Sequence, residues 1–175
     1  MSNYWIFSTV MGDACVIVGE KGIKSLLLPG WSKSKIVDHL ADAFPEARVG
    51  GAAPKEVAET IKFVQNYFLG KPGKASPKLD LSERTEFSKK VLSILMTIGA
   101  GETRSYSWVA QQVGNKKAIR AVAQAIAHNP IPLFIPCHRV VGKDGSMTGF
   151  SAPGGVRAKR LMLEIESKSL RKSAG

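Results

Sequence analysis

The stretch "IPCHRVVG", residues 135–142, places a cysteine between a proline and a histidine, and an arginine follows. A thiol becomes a nucleophile when it loses its proton, and a neighbouring base or positive charge favours that state. Pro136 has a fixed φ angle and no N–H, so Cys137 is predicted to lie in a rigid turn. Adjacent residues of an extended chain point in opposite directions, so spacing alone does not bring His138 to the sulfur. Cys137 is therefore a candidate nucleophile, and a buried structural thiol is the alternative.

The second cysteine, Cys15, lies in the apolar run "ACVIVG" and is interpreted as a small buried side chain. No CxxC pair and no cluster of His and Cys occurs, so we expect no metal and no cofactor. No apolar run reaches the roughly 18 residues that a membrane span needs, so we expect no membrane partner. The N-terminus lacks the basic region of a signal peptide, and we predict a cytoplasmic protein with reduced thiols.

Charge is unevenly distributed along the 175 residues, which carry 25 Lys and Arg against 14 Asp and Glu. Residues 1–80 have 10 basic and 8 acidic side chains, a net charge of +2. Residues 81–175 have 15 basic and 6 acidic side chains, a net charge of +9. A basic half favours a polyanionic partner, most simply nucleic acid, with an ordinary solvated basic surface as the alternative.

The first half of the chain is predicted to be an α/β domain. The β-rich runs "YWIFSTV", "ACVIVG" and "IKSLLLP" are separated by glycine turns and predict an antiparallel meander. Two amphipathic helices follow, the first capped by Ser34 and stopped by Pro45, the second lying between Pro54 and Gly70. The run "KPGKASPK" then predicts a domain boundary, which gives domains of residues 1–80 and 81–175.

The second half is predicted to be mainly helical, beginning with the amphipathic stretch "SERTEFSKKVLSILMTIGAG". "SYSWVAQQVGN" and "KKAIRAVAQAIAHN" predict two short helices joined by a tight turn at Gly114-Asn115, the pattern of a helix-turn-helix. The proline-punctuated run "PIPLFIPCHRVVGKDGS" is predicted to be extended. "GGVRAKRLMLEIES" predicts a last helix, followed by a frayed basic tail.

The predicted helix over residues 116–128 is rich in alanine, which would let its backbone approach another surface closely. A helix-turn-helix regulator reads the major groove with long polar side chains, and this helix has few of them. We therefore interpret it as making close, sequence-independent contact, with Arg120 able to enter the base stack. A well-packed core helix is the alternative, because alanine is the best helix former.

Several segments together match a known family. "PCHRV", residues 136–140, preceded by "NPIPLFI", resembles the active-site motif of the O6-alkylguanine-DNA alkyltransferases. "GETRSYSWVAQQVGNKKAIRAVAQAIAHNP" resembles their helix-turn-helix, and "GFSAPGGVRAKRLMLEIE" resembles their substrate loop and last helix. The resemblance implies a ribonuclease-H-like α/β N-terminal domain, a small antiparallel sheet with helices, followed by a mainly α, winged-helix-like C-terminal domain with the helix-turn-helix.

The resemblance also implies a function in DNA repair. An alkyl group would move from O6 of guanine, and less readily from O4 of thymine, onto the protein's own cysteine. The thioether product is not reversed, so each molecule acts once. The implied partner is double-stranded DNA bearing O6-alkylguanine, bound by a cytoplasmic monomer that is nucleoid-associated if the source is prokaryotic.

The family's catalytic roles can be carried over by position. Cys137 would be the acceptor, and His138 would act as its base through an ordered water. Glu166 would hold that histidine, with Glu164 as its nearby competitor. Asn129 would support the active-site turn.

The substrate base must leave the duplex to reach a buried thiolate, and a damaged base leaves most easily. The resemblance implies that Arg120 fills the space that the base vacates. It implies that Tyr106 helps to rotate the nucleotide and donates a proton to N3 of the leaving guanine; a helix-start aromatic packed on the core is the alternative. The other implied DNA contacts are Ala118, Ala121, Gln124 and Lys117.

The implied substrate contacts lie on both sides of the cysteine motif. Ser151 would hydrogen-bond O6, the backbone at Val140 would contact the exocyclic amine, and Ile135 would contact the ring edge. Phe150 stands where the family commonly has tyrosine, so the pocket wall lacks a hydroxyl.

Three other functions compete with this interpretation. A non-catalytic relative would bind the lesion but lack the cysteine, and Cys137 argues against it. A helix-turn-helix regulator would need more polar side chains on its second helix. A cysteine hydrolase would use Cys137 and His138, but no oxyanion-hole motif is visible in the sequence.

Overall fold

The computed structural model describes residues 1–71 and 73–173 of the chain. The chain divides into two units, an N-terminal unit of Met1–Asp80 and a C-terminal unit of Leu81–Gly175. The division follows the run "KPGKASPK", where proline, glycine and lysine interrupt the apolar periodicity. No helix in the described parts of the chain is long and apolar enough to cross a membrane.

The N-terminal unit is built on a four-stranded sheet in the order β3-β2-β1-β4. Its strands are β1 (Asn3–Thr9), β2 (Gly12–Gly19), β3 (Gly22–Trp31) and β4 (Arg48–Val49). The first three form the predicted antiparallel meander, which is confirmed. β4 runs parallel to β1 and was not predicted, because two residues are too few to show an alternating pattern.

Two helices accompany this sheet, α1 (Lys33–Ala43) and α2 (Lys55–Phe68). The predicted cap at Ser34 is wrong, because the Oγ of Ser32 accepts the hydrogen bond from the Lys35 N–H at 3.3 Å. Ser34 lies inside the first turn of α1 and shares a 3.0 Å hydrogen bond with the Ser32 hydroxyl.

Cys15 lies in the core between β2 and α1, packed with Ile17, Ile36 and Leu40. It is fully buried, and burial raises the pKa of its thiol to about 12. A thiol in this state is inert at neutral pH, as its apolar sequence context predicted.

The C-terminal unit is mainly helical and contains one short two-stranded sheet. Its elements are α3 (Glu86–Leu95), β5 (Arg104–Ser105), α4 (Tyr106–Val113), α5 (Ile119–Ala127), a 3₁₀ turn (Cys137–Arg139), β6 (Val140–Val141) and α6 (Gly155–Ser173). β5 and β6 pair in parallel. The rigid turn predicted at Cys137 is confirmed, whereas the extended chain predicted for residues 130–146 is wrong at Cys137–Arg139, because proline punctuation does not distinguish a turn from a strand.

α4 and α5 are joined by the predicted tight turn. Gly114 has a φ of 93°, in the left-handed region that glycine adopts without strain, and ends α4 there. The predicted helix over residues 116–128 is wrong at its start, since α5 begins at Ile119. The side chain of Asn115 accepts a hydrogen bond from the Lys117 N–H at 3.0 Å and holds these residues in a turn.

The last helix is longer than the sequence predicted. α6 continues through Ser173, so the frayed tail expected after residue 167 is wrong up to that point, and residues 174–175 lie outside the described residues. Met162 and Ile165 lie on the apolar face of α6 and are buried. Lys159 and Glu166 are buried on the same helix, which brings two charged groups into the interior of the C-terminal unit.

Candidate active site around Cys137

Cys137 is held at the start of its turn by a short network of backbone and side-chain hydrogen bonds. Its N–H donates to the Ile135 carbonyl at 2.8 Å. The side-chain amide of Asn129 donates to the same carbonyl at 2.7 Å and accepts from the Ile131 N–H at 3.1 Å. Asn129 therefore ties together the segment that leads into the cysteine, because its one side chain pairs with backbone groups on both sides of the loop.

The thiol of Cys137 lies almost completely inside the protein, with 7% of its surface exposed. Burial raises the pKa of the thiol, while a hydrogen bond from Asn129 and the positive charge of Lys159 oppose that rise. The thiol is therefore protonated at neutral pH in the free protein. A nucleophilic reaction at this sulfur needs a group that takes the proton during the reaction.

His138 and Glu166 form a buried pair next to Cys137. His138 Nε2 lies 2.7 Å from Glu166 Oε1, and both side chains are at most 1% exposed. The competitor Glu164 is exposed. Burial lowers the pKa of His138, and this outweighs the opposite effect of Glu166, so the imidazole is neutral at neutral pH. Among the described residues, His138 Nδ1 is the buried side-chain polar atom that has no hydrogen-bond partner.

The Glu166 carboxylate accepts several hydrogen bonds besides that of His138. Arg139 donates from Nε to Oε2 at 3.0 Å and from Nη2 to Oε1 at 2.8 Å. The Gly101 N–H donates to Oε2 at 3.1 Å. Burial alone would raise the pKa of Glu166, but the hydrogen bonds from His138 and Arg139 outweigh burial and lower the pKa to about 2. Glu166 is therefore ionised at neutral pH.

Lys159 is a component of the site that the sequence did not predict. Its side chain is fully buried, its Nζ donates to the Thr148 carbonyl at 3.2 Å, and Nζ lies 5.9 Å from the centre of the Tyr106 ring. Burial lowers the pKa of Lys159, and the nearby Cys137 opposes this shift. The available signal was the spacing of Lys159, Met162 and Glu166 at i, i+3 and i+7, which places them on one face of α6.

A cavity of about 1140 Å³ opens in front of the cysteine. The predicted site residues on its lining are Cys137, Tyr106, Arg120, Lys117, Phe150 and Ser151. Residues separated by up to 45 positions in the chain thus face one space. Tyr106 donates its hydroxyl to the Thr148 carbonyl at 3.3 Å, and burial, followed by the nearby Cys137, raises the pKa of this phenol.

The other predicted site residues lie outside this lining. His138, Glu166, Ile135 and Val140 are buried, and Asn129 is partly buried. Ala118, Ala121 and Gln124 belong to the start and outer face of α5, where Ala121 and Gln124 are exposed.

Ser151 lines the cavity, but its hydroxyl donates to the Ala127 carbonyl at 2.9 Å. This donor is therefore already used in the structure, because a hydroxyl has one proton.

Comparison with known proteins identifies the family. The model of the 6-O-methylguanine DNA methyltransferase DNA-binding domain matches residues 86–168. The methylated-DNA–protein-cysteine methyltransferase of Methanosarcina barkeri is 36% identical over 169 residues, which cover 96% of this chain and 99% of the relative. The chain belongs to the methylated-DNA–protein-cysteine methyltransferase family. The resemblance noted in the sequence is thereby confirmed.

Further members of the methyltransferase family are similar to this chain in sequence or structure over most of its length. The constitutive methylated-DNA–protein-cysteine methyltransferase of Bacillus subtilis is 41% identical over 170 residues, covering 95% of this chain and 96% of the relative. The crystal structure of Mycobacterium tuberculosis OGT in complex with DNA has a TM-score of 0.77 at 31% identity, covering 95% and 94% of the two chains. The combination of a sheet with helices and a helical C-terminal part is the fold of these methyltransferase structures.

Proposed function

We propose that this chain repairs DNA by moving an alkyl group from O6 of guanine, and less readily from O4 of thymine, onto the Sγ atom of Cys137. Family membership gives the reaction class, which is DNA repair by alkyl transfer to a cysteine of the protein. The observation that carries the proposal is that Cys137 faces the same cavity as Tyr106 and Arg120, with the His138–Glu166 pair behind it. The nucleophile and a cation thus face one space, and the proposed base lies next to the nucleophile in the interior.

The reaction follows from the protonation states of the site. Because ionised Glu166 only accepts hydrogen bonds, the proton of neutral His138 lies on Nε2 and leaves Nδ1 as an acceptor. We propose that Nδ1 takes the thiol proton of Cys137 through an ordered water. The sulfur then attacks the alkyl carbon, a C–S bond forms, and the C–O6 bond breaks with its electron pair going to guanine.

Tyr106 is proposed to complete the proton balance. It donates its hydroxyl proton to N3 of the leaving guanine and recovers a proton from His138 through water. The thioether left on Cys137 is stable, so one molecule repairs one lesion. Asn129 keeps the turn in place, because its side chain holds the Ile135 carbonyl at 2.7 Å.

The exposed side of α5 is proposed to contact double-stranded DNA in the minor groove. Arg120 would occupy the space of the flipped base, and its long cationic side chain at the cavity mouth supports this role. Lys117, in the turn before α5, would contact phosphate, and Gln124 is exposed on α5 itself. The small side chains of Ala118 and Ala121 would let the helix backbone come close to the duplex.

The flipped base is proposed to lie in the cavity between Ser151 and Phe150 on one side and the backbone of Ile135 and Val140 on the other. Ser151 must turn its hydroxyl away from the Ala127 carbonyl to donate to O6. Phe150 supplies an apolar wall without the hydroxyl of a tyrosine.

We also propose a more specific fold for each of the two domains. A ribonuclease-H-like N-terminal domain, residues 1–80, agrees with the antiparallel meander and the parallel β4 beside β1. A winged-helix-like C-terminal domain, residues 81–175, agrees with the α4–turn–α5 unit and the short β5–β6 sheet. We propose that the protein acts as a monomer in the cytoplasm, on the nucleoid if the cell is prokaryotic.

The test is incubation with a duplex that contains one O6-methylguanine, followed by digestion and peptide mass measurement. We expect one added methyl group on the peptide containing Cys137, in a yield of one per molecule that does not increase with time. The Cys137→Ser variant should bind the lesion and transfer nothing, and Cys15→Ser should transfer normally because Cys15 is buried in the other unit. Tight binding without any methylated peptide would instead make the chain a non-catalytic lesion-binding protein.

A further inference from the structure

Arg139 connects three parts of the C-terminal unit through one guanidinium group. Its Nε and Nη2 donate to the two oxygens of Glu166 at 3.0 and 2.8 Å, and its Nη1 donates to the Ile98 carbonyl at 2.5 Å. The Arg139 side chain is 15% exposed and that of Glu166 is 1% exposed. This arginine is the residue that follows Cys137 and His138 in the motif, and the proposed reaction gives it no role.

We propose that Arg139 is a positioning residue of the transfer site. It fixes the Glu166 carboxylate so that Oε1 accepts a hydrogen bond from His138 Nε2–H, and it thereby keeps His138 Nδ1 available to take the proton of Cys137. The transfer of the Cys137 proton to His138 Nδ1 rests on the proposed function, whereas the tautomer of His138 and the orientation of Glu166 do not depend on it.

The hydrogen-bond pattern supports this assignment. Oε1 of Glu166 faces His138 Nε2 and Arg139 Nη2, while Oε2 faces Arg139 Nε and the Gly101 N–H. The three groups from Arg139 and Gly101 are donors only, so a proton on the carboxyl group would meet a donor on either oxygen. Glu166 therefore stays ionised, and its only way to pair with His138 is to accept from Nε2–H.

The charges around His138 show what the loss of Arg139 would do. His138 faces the negative charge of Glu166 and the positive charges of Arg139 and Lys159, and it neighbours the neutral thiol of Cys137. Both positive charges oppose protonation of the imidazole. Removal of Arg139 leaves the carboxylate less compensated, so the His138–Glu166 pair takes up a proton more easily and the apparent pKa of the pair rises.

The shape of the guanidinium explains why lysine is not an equivalent residue here. Three N–H groups of Arg139 are used at once, on two carboxylate oxygens and on the Ile98 carbonyl. A lysine at this position keeps the charge but presents one nitrogen, so it cannot make the same planar set of contacts. Arg139→Lys should therefore separate the effect of charge from the effect of orientation.

The test is an NMR titration of the full chain labelled with ¹⁵N-histidine. The chain has three histidines, and His138→Gln assigns the signal of interest. We expect the wild-type spectrum to show the Nε2–H tautomer of His138 with a midpoint below that of an ordinary histidine. In Arg139→Gln the titration midpoint of the His138–Glu166 pair should rise by about one pH unit or more. This is the size expected when the positive charge next to a carboxylate is removed.

The matched control is Arg160→Gln, which removes one positive charge from an exposed position of α6 and should leave the midpoint unchanged. The rate of methyl transfer at saturating DNA should depend on pH in the same way as the protonation of His138. The pH at which the rate falls on the acid side should be higher in Arg139→Gln. The maximal rate should be at least tenfold lower in Arg139→Lys, with the affinity for DNA retained.

Three results would overturn the proposal. The first is an unchanged His138 midpoint in folded Arg139→Gln, and the second is an Nδ1–H tautomer in the wild-type protein. The third applies if Arg139→Gln does not fold, and it is a maximal rate and a His138 midpoint in Arg139→Lys that equal those of the wild type. If the titration shifts as expected but no alkyl group is ever transferred, the proposed function fails while the positioning role stands.

Discussion

Replacement of Glu166 by glutamine removes a charge from the centre of the site at nearly constant volume. The fall of the Glu166 pKa from its ordinary value of 4.5 to about 2 corresponds to about 3 kcal/mol of stabilisation, at about 1.4 kcal/mol per pH unit. The folded-state pKa is the lower one, so this stabilisation is present above about pH 4.5 and is lost as the pH falls through 2. We expect Glu166→Gln to lose about 3 kcal/mol at pH 7 and about 1 kcal/mol at pH 3.

The assay is urea unfolding of the full chain at the two pH values. Trp108 is the tryptophan of the C-terminal unit, so a Trp5→Phe, Trp31→Phe background makes fluorescence report that unit. The control is Glu164→Gln, two residues away on the same helix but exposed, which should change the free energy of unfolding by less than about 0.5 kcal/mol.

The reasoning about Glu166 is refuted by either of two results. A loss below about 1 kcal/mol at pH 7 would mean that the hydrogen bonds from His138 and Arg139 do not outweigh the burial of the carboxylate. A loss that is equal at pH 7 and pH 3 would mean that the contribution is packing and not charge, since a packing contribution does not titrate.

Two further variants test other parts of the C-terminal unit. Arg120→Ala should slow repair of duplex DNA at least tenfold but leave transfer from the free O6-alkylguanine base nearly unchanged, because only the duplex requires a flipped base; equal losses in a side-by-side rate assay would give Arg120 another role. Gly114→Ala should destabilise the unit by about 1 kcal/mol in thermal unfolding, because its φ of 93° strains any side chain. Gly51→Ala, where no atom lies within 4 Å of a new Cβ, should be nearly neutral, and a similar cost at both glycines would contradict the argument.

The local elements of this protein could be predicted because their causes are local. Apolar, β-rich runs separated by glycine turns predicted the three-stranded meander, and glycine at position 114 predicted the turn between α4 and α5. The starts of helices were less predictable. Ser32 and Ser34 are both good caps by residue type, and the sequence does not show which hydroxyl meets a free N–H.

The motif around Cys137 shows the limit of local reasoning. Residue types marked the cysteine as a candidate nucleophile, and the family resemblance named Asn129, His138 and Glu166. The extended conformation predicted around the motif was wrong at Cys137–Arg139. The loop before this turn is held by the side chain of Asn129, which donates to the Ile135 carbonyl and accepts from the Ile131 N–H, and such pairing cannot be read from residue types. A lysine on a helix is normally solvated, so its residue type argued against the burial of Lys159 although its spacing from Met162 places both on one face of α6.

The sequence by itself determined the strands of the meander, the turn at Gly114, the basic character of the C-terminal half and the candidate status of Cys137. These follow from backbone preferences, periodicity and composition, which act over a few residues. Only the tertiary structure decided that Glu166 and not Glu164 meets His138 at 2.7 Å, that Arg139 also binds Glu166, and that the buried Lys159 donates to the Thr148 carbonyl. Those contacts join residues far apart in the chain, and they exist because α6 buries one particular face against the turn that carries the cysteine.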